Sequence, residues 1–125
     1  MSKPEPRRIQ LSRRRGFNLQ AESRRLNNLP AVKCDRTTPL GNPFVVGVDG
    51  DLNYCVHLHE VLLKGFVCLT SKATIESQRA HLAYVKLYRE QLQGKNLACW
   101  CPKETSCHCD NLLNFVNKPK QKTTT

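Results

Sequence analysis

The sequence lacks a continuous apolar run of about 18 or more residues, the length a helix needs to cross a bilayer, so no membrane-spanning segment is expected. The basic start is not followed by an apolar stretch of about 7 to 15 residues, which speaks against a secretory leader. These absences predict a soluble chain of a reducing cytoplasm, with no membrane partner. There is no internal repeat, and 125 residues suffice for one domain with its own core. Acidic side chains are scarce: 10 Asp and Glu stand against 20 Lys and Arg, for a net charge of +10. The seven cysteines do not form an even set. In a reducing compartment that favours metal or thiol chemistry over a disulfide framework.

The positive charge is uneven. Residues 1–36 carry ten basic and three acidic side chains, which is +7 of the +10. Arg13, Arg14, Arg15, Arg24 and Arg25 are the densest part, and they are candidate contacts to a nucleic-acid backbone. The plainer reading is a solvated basic flank that keeps the chain soluble.

Residues 1–6 and 118–125, rich in Pro, Lys and Thr, are expected as frayed ends of a single domain over 7–117. "RRIQL" (7–11) and "AVKC" (31–34) are strand candidates. The basic stretch 12–30 between them reads as a polar connection with at most one helical turn. "DRTTPLGNP" (35–43) is a turn-rich loop, and "FVVGVDGD" (44–51) is an apolar run closed by a tight turn at Asp49-Gly50. Asp51 is placed to cap a helix over about 52–64 stopped by Gly65, and Thr74 one over about 75–93 stopped by Gly94. The apolar stripe Ile75, Leu82, Val85, Tyr88 and Leu92 would pack the second helix on a sheet. "KNLACW" (95–100) is the best strand, and a last helix opens at His108 or Asp110. Helix, glycine, buried strand, loop, helix predicts an α/β fold: a small Rossmann-like three-layer domain with a short, mostly parallel sheet.

The stretch "ACWCPKETSCHCD" (98–110) gathers Cys99, Cys101, Cys107, His108 and Cys109 at the end of that strand, where α/β sheets bind ligands. Three readings stand. Cys99, Cys101, Cys107 and His108 are enough donors for a tetrahedral zinc, although the C-x-C spacing departs from the usual C-x2-C knuckle. Alternatively, Cys107 and His108 at a helix N-terminus form a catalytic or ligand-binding centre. There the free N–H groups and the helix dipole favour a thiolate or bound anion, Cys99 and Cys101 are further thiol candidates, and Asp110 orients His108 or starts the helix. In the third reading the thiols are buried small hydrophobes and His108 is a cap.

Other candidates are weaker. His57 and His59 point to different faces of a helix and make poor co-ligands. Cys55 and Cys68 read as packing residues. Trp100 is either core or a stacking wall. Gly41, Asn42, Pro43 and Phe44 form a turn whose amides are free to meet a ligand.

Three motifs, "RIQLSRRRGF", "DRTTPLGNPFVVGVDGD" and "GKNLACWCPKETSCHCDNLLNFVN", appear in order over residues 8–117 and resemble domain of unknown function 4326, a family of short bacterial and phage proteins. The family pattern falls on Gly41, Asn42, Pro43 and Phe44, then on Gly94, Lys95, Leu97, Cys99, Trp100, Cys101 and Pro102, and then on Cys107, His108, Asp110 and Leu112. The resemblance implies a small Rossmann-like domain and, from its frequent home in phage genomes, work on nucleotides or nucleic acid in a host cytoplasm. The Cys-His step at a helix start is also similar to domain of unknown function 488. Two departures stand out. Cys109 takes the place of a small residue and reads as incidental, and the basic connection before Asp35 is longer than usual.

The leading expectation is a domain that binds or modifies a nucleotide or base. Its site would join Gly41–Phe44 to the end of the 96–100 strand, with Trp100 and Arg36 as ligand contacts and Cys107 and His108 as the reactive pair. The alternatives are a non-enzymatic nucleic-acid-binding module with structural zinc, and an inhibitor of a host protein.

Overall fold

The computed structural model describes residues 5–70 and 72–117. In chain order they form β1 (Arg8–Gln10), α1 (Leu19–Asn27), β2 (Ala31–Lys33), α2 (Leu52–Leu63), α3 (Ile75–Leu87), α4 (Arg89–Leu92), β3 (Asn96–Cys99) and α5 (His108–Asn117). Expectations for residues 1–4 and 118–125 lie outside the described residues. Glu5 is held in place, its carbonyl accepting a 2.9 Å hydrogen bond from Asn27 Nδ2.

All four residues of β3 are buried, and the strand takes the centre of a three-stranded parallel sheet of order β1-β3-β2. Ile9 lies opposite Ala98 and Val32 opposite Leu97. The described strands are all parallel, and the chain is a small α/β domain. The path from β1 to β2 crosses β3 in one direction, and the path from β2 back to β3 runs in the other. With one crossover hand, the intervening helices must then lie on opposite faces, and the packing agrees. Ile9, Leu11, Ala31 and Ala98 meet Phe17, Leu19 and Leu26 around α1. Leu97 and Cys99 pack with Leu63, Val85, Leu92, Leu112 and Val116 from the helices of the other face. Burying each such Leu or Val side chain contributes about 1.5–3 kcal/mol. Asn96, fully buried on the α1 face, is satisfied by Ser23 Oγ at 2.6 Å and Asn27 Oδ1 at 2.8 Å.

Two expectations are corrected. The 12–30 connection contains a nine-residue helix, α1. Asn18 caps its start by accepting from the Ala21 N–H, and Asn28, in the left-handed region at φ 62°, ends it. Its seat on the sheet needs only Leu19 and Leu26, with Phe17 ahead of it, too sparse an apolar pattern to stand out among arginines. The long helix after Thr74 stops at Leu87, because Tyr88 leaves helical geometry (φ −102°, ψ 14°) before the short α4 resumes. The break turns Leu92 into the core at 4% exposure, while Ile75 and Tyr88, expected in the same stripe, stay exposed at 42% and 38%. Asp51 and Thr74 cap α2 and α3 by accepting from the Tyr54 and Ser77 N–H groups at 2.8 and 2.9 Å. Gly94, at φ 73°, makes the left-handed turn from α4 into β3 that a side chain would strain.

No helix among the described residues is long and apolar enough to cross a membrane.

Candidate functional site

The strands end together. Leu11 N–H donates to the Cys99 carbonyl at 2.7 Å and Cys34 N–H to the Ala98 carbonyl at 2.8 Å. Just beyond this edge lies a cavity of about 580 Å³ whose walls include Arg36, Asn42, Val45, Val46, Trp100 and Cys101, with Cys99 and His108 also lining it. Trp100 stands half-exposed in the wall rather than in the core. Its indole N–H donates to Asp35 Oδ2 at 3.0 Å, and Arg13 lies over its ring, 4.6 Å from the centroid. Burial opposes ionisation of Asp35, but hydrogen bonds from Thr37 and Trp100 outweigh it and hold the carboxyl below its ordinary range.

The GNPF turn supplies only part of the expected ligand surface. Among Gly41, Asn42, Pro43 and Phe44, only Asn42 lines the cavity. Its amide is already used, donating to the Cys55 carbonyl at 3.2 Å and accepting from the Phe44 N–H at 3.0 Å. Phe44 is fully buried against Cys55, Leu58 and Leu62, so it anchors the turn instead of meeting a ligand. Gly41 is there for close approach, since a Cβ on it would sit 2.7 Å from the Asp35 carbonyl oxygen. Arg36 ties the turn down by donating to the Phe44 carbonyl at 3.1 Å, and it remains on the cavity wall.

Beneath this cavity the thiols converge. The Sγ atoms of Cys99, Cys101 and Cys107 all lie within 4.8 Å of one another, and Cys107 Sγ, His108 and Cys109 Sγ form a second such group. Cys99 and Cys107 Sγ approach to 2.9 Å. Cys107 is the shared member, and hydrogen bonds from the Cys109 and Cys99 thiols outweigh burial and pull it far below the ordinary thiol range. As the donor to that thiolate, Cys99 is pushed up to about 12, and Cys109 is raised for the same reason. Cys109 is therefore part of the cluster, contrary to its reading as incidental. The small helix-start position brings its side chain back onto Cys107. Cys107 and Cys109 are fully buried, and Cys101, half-buried, is the thiol most open to the cavity.

His108 opens α5 and its ring is fixed by its neighbours. Nε2 faces the carbonyl oxygens of Cys34 at 2.7 Å and Leu40 at 3.1 Å. Carbonyls only accept, so Nε2 carries the hydrogen, and Nδ1 is turned toward Cys107 Sγ at 3.7 Å. Asp110 does not orient His108. Its carboxylate instead pairs with Arg8 Nη1 at 3.3 Å, two residues into the helix, where it favours the positive end of the dipole.

Sequence reasoning missed Arg8, which read only as part of a strand. Its side chain is 10% exposed, and Nη2 donates to the carbonyls of Pro102, Lys103 and Thr105 at 3.1, 2.9 and 2.8 Å. It thus fastens the loop between the two cysteine pairs and sets a fixed positive charge beside the thiols. Burial disfavours that charge, but Asp110 and Cys107 more than compensate and raise the guanidinium pKa.

A second feature not expected from the sequence is a chain of buried histidines under His108. His81 Nδ1 donates to the Pro39 carbonyl at 3.0 Å, which leaves Nε2 to accept from His59 Nε2–H at 2.8 Å. His59 Nδ1 then accepts from Asn111 Nδ2 at 3.2 Å, and Asn111 also donates to the Val56 carbonyl at 2.9 Å. Every partner is satisfied only if both rings are neutral. Burial accordingly holds His59 well below its ordinary range and His81 at about 4. The His59 ring meets His108 edge-on at 5.4 Å. His57, by contrast, is exposed beside Glu60, so the two helix histidines do part as expected.

The remaining predicted cations lie on the surface. Arg13, Arg14 and Arg15 occupy an exposed turn ahead of α1, and Arg24 and Arg25 lie on its solvent face, with Arg25 paired to Glu22.

No curated protein and no solved structure matches the chain. One family model matches residues 17–118, and its description is Domain of unknown function (DUF4326).

Proposed function

The chain belongs to that family, and from this premise we propose that it binds a nucleotide or nucleic-acid base in the cavity at the carboxyl ends of its strands. The observation that carries this reading is the cavity itself. About 580 Å³ fits a small ligand, its wall offers the indole of Trp100 together with apolar Val45 and Val46, and Arg36 supplies a cation for phosphate. A base stacks on the indole, while Cys99, Cys101 and His108 face it from below. Cys107, fully buried, acts on a ligand only through those neighbours.

The same centre offers donors for a zinc ion as part of this function, with His108 meeting the Cys99, Cys101 and Cys107 trio at Cys107. Cys99, Cys101 and Cys107 would supply thiolates and His108 would present Nδ1. Its Nε2–H is already bonded to backbone carbonyls, the outer-shell arrangement of a metal-ligating histidine. Arg8 offsets the excess negative charge of three thiolates. Thiolates on a tetrahedral zinc stand about 3.8 Å apart, so loading would spread Cys99 and Cys107 from their 2.9 Å approach. With all four positions taken by protein donors, the ion would fix the strand end and the helix start together beneath the cavity.

Calorimetric titration of nucleoside monophosphates into the wild type and Trp100→Ala tests the first statement: binding by the former and at least a tenfold loss in the latter are expected. Elemental analysis tests the second, with about one zinc per chain expected. An absence of heat for every nucleotide refutes the first, and a metal-free, fully folded preparation that takes up no zinc refutes the second.

A further inference from the structure

We propose that the ligand is a single-stranded polynucleotide, which places one unpaired base in the cavity and lays its backbone along a basic track through Arg13, Arg14 and Lys103. The inference rests on the nucleotide reading above and narrows it to one substrate class. Three observations carry it.

First, the basic turn is joined to the cavity wall. Arg13 sits on Trp100 at 4.6 Å, so a positive charge borders the proposed stacking surface. Second, the cations continue beyond it. Arg14 and Lys103 line a neighbouring hollow of about 320 Å³. Lys103 lies two residues after Cys101 of the cavity wall, so this hollow and the cavity share one loop. The one carboxylate lining that hollow, Glu22, is already paired with Arg25. A mononucleotide carries phosphate to one place only, at Arg36 or at Arg13. A strand of several nucleotides meets both and continues to Arg14 and Lys103.

Third, the stacking surface sits in a wall. Trp100 is 40% exposed and Val46 47%, at the mouth of a concave site. A base inside a duplex has both faces covered and its edge paired, so it reaches such a wall only after leaving the helix. An unpaired base stacks there without that cost.

The test is fluorescence anisotropy of the full chain with a labelled 12-nucleotide oligothymidylate, the same sequence as a 12-base-pair duplex, and thymidine monophosphate as competitor. The single strand is expected to bind at least tenfold tighter than the duplex and than the monophosphate. Its log–log salt slope should fall by about 2 in Arg13→Ala/Arg14→Ala/Lys103→Ala, at roughly 0.7 for each single-strand phosphate no longer neutralised. Trp100→Ala should weaken binding about tenfold or more and leave the salt slope unchanged. Duplex binding as tight as single-strand binding overturns the proposal, as does an unchanged slope in the triple variant. If the monophosphate binds as tightly as the 12-mer, the polynucleotide inference fails while the nucleotide reading stands. If neither binds, the nucleotide reading fails first. The three substituted cations are exposed, so a circular dichroism spectrum matching wild type separates weakened binding from loss of the fold.

Discussion

Replacing His81 with Gln should change how stability depends on pH, and the structure gives the size of the change. His81 is 5% exposed and is held neutral as the acceptor for His59, with its value lowered from 6.5 to about 4. The unfolded chain takes up a proton on this ring as pH falls through 6.5, whereas the folded chain does not until about 4. Stability from His81 is therefore fully present above pH 6.5, is lost as pH falls through that window, and levels off below it. The full span corresponds to about 3 kcal/mol. At pH 7.5 the variant should be less stable than wild type by about 1–3 kcal/mol, because the Pro39 carbonyl and His59 N–H lose well-placed partners. By pH 4.5 that gap should narrow by about 2.5 kcal/mol and close or invert. Urea unfolding followed by circular dichroism between pH 4.5 and 7.5, with thiols kept reduced, measures it. Titrations common to both proteins, including those of the thiol centre, cancel in the difference. A gap that stays constant across this range refutes the neutral histidine chain.

Other substitutions separate the roles assigned to the site. Gly41→Ala should cost about 1–3 kcal/mol in chemical denaturation, since the new Cβ meets the Asp35 and Arg36 backbone at 2.7 and 2.8 Å and neither is free to move aside. Arg8→Lys keeps the charge, but a single ammonium cannot hold Asp110 and the loop carbonyls at once as Nη1 and Nη2 do, and the change should destabilise the fold by about 1–3 kcal/mol. Arg8→Met also removes the charge that offsets the thiolates, so competition with a chromophoric chelator should show zinc affinity at least tenfold weaker than in Arg8→Lys. Cys101→Ser should lose most bound zinc by elemental analysis, whereas Cys68→Ser, remote from the cluster, should keep the wild-type amount.

Much of the frame was legible in local signals. Asp51 and Thr74 announce helix starts because their side chains cap free N–H groups, and Gly94 marks the turn into β3. The run 95–100 reads as a strand because it is short, largely apolar and follows that glycine, and the structure places it at the centre of the sheet. Helix α1 was not legible, because its core contact rests on two leucines in a run of charge while its stability comes from the Asn18 and Asn28 caps. The break at Tyr88 was hidden for a related reason: Tyr88 sits on the same helical stripe as Val85 and Leu92, and only the turn of Leu92 into the core reveals the interruption. At the site, the stretch 98–110 stood out by composition, and the GNPF turn by its turn chemistry. Arg8 and His81 carried no such mark. Arg8 finds its carbonyl partners 94 to 97 residues away, and His81 meets His59 across 22 residues, so both pairings exist only once the sheet and helices are assembled. Phe44 shows the converse error, a motif residue whose place in the pattern is explained by packing rather than by contact with a ligand.

Trp100 is the only tryptophan in the chain and stands in the cavity wall, so its fluorescence reports on the proposed site without a label. Titrating the unlabelled oligothymidylate into the wild-type protein should quench and saturate that emission, with a midpoint matching the anisotropy of the labelled strand. Binding by anisotropy with Trp100 emission unchanged to saturation would contradict the account, because the strand would then bind somewhere other than the cavity.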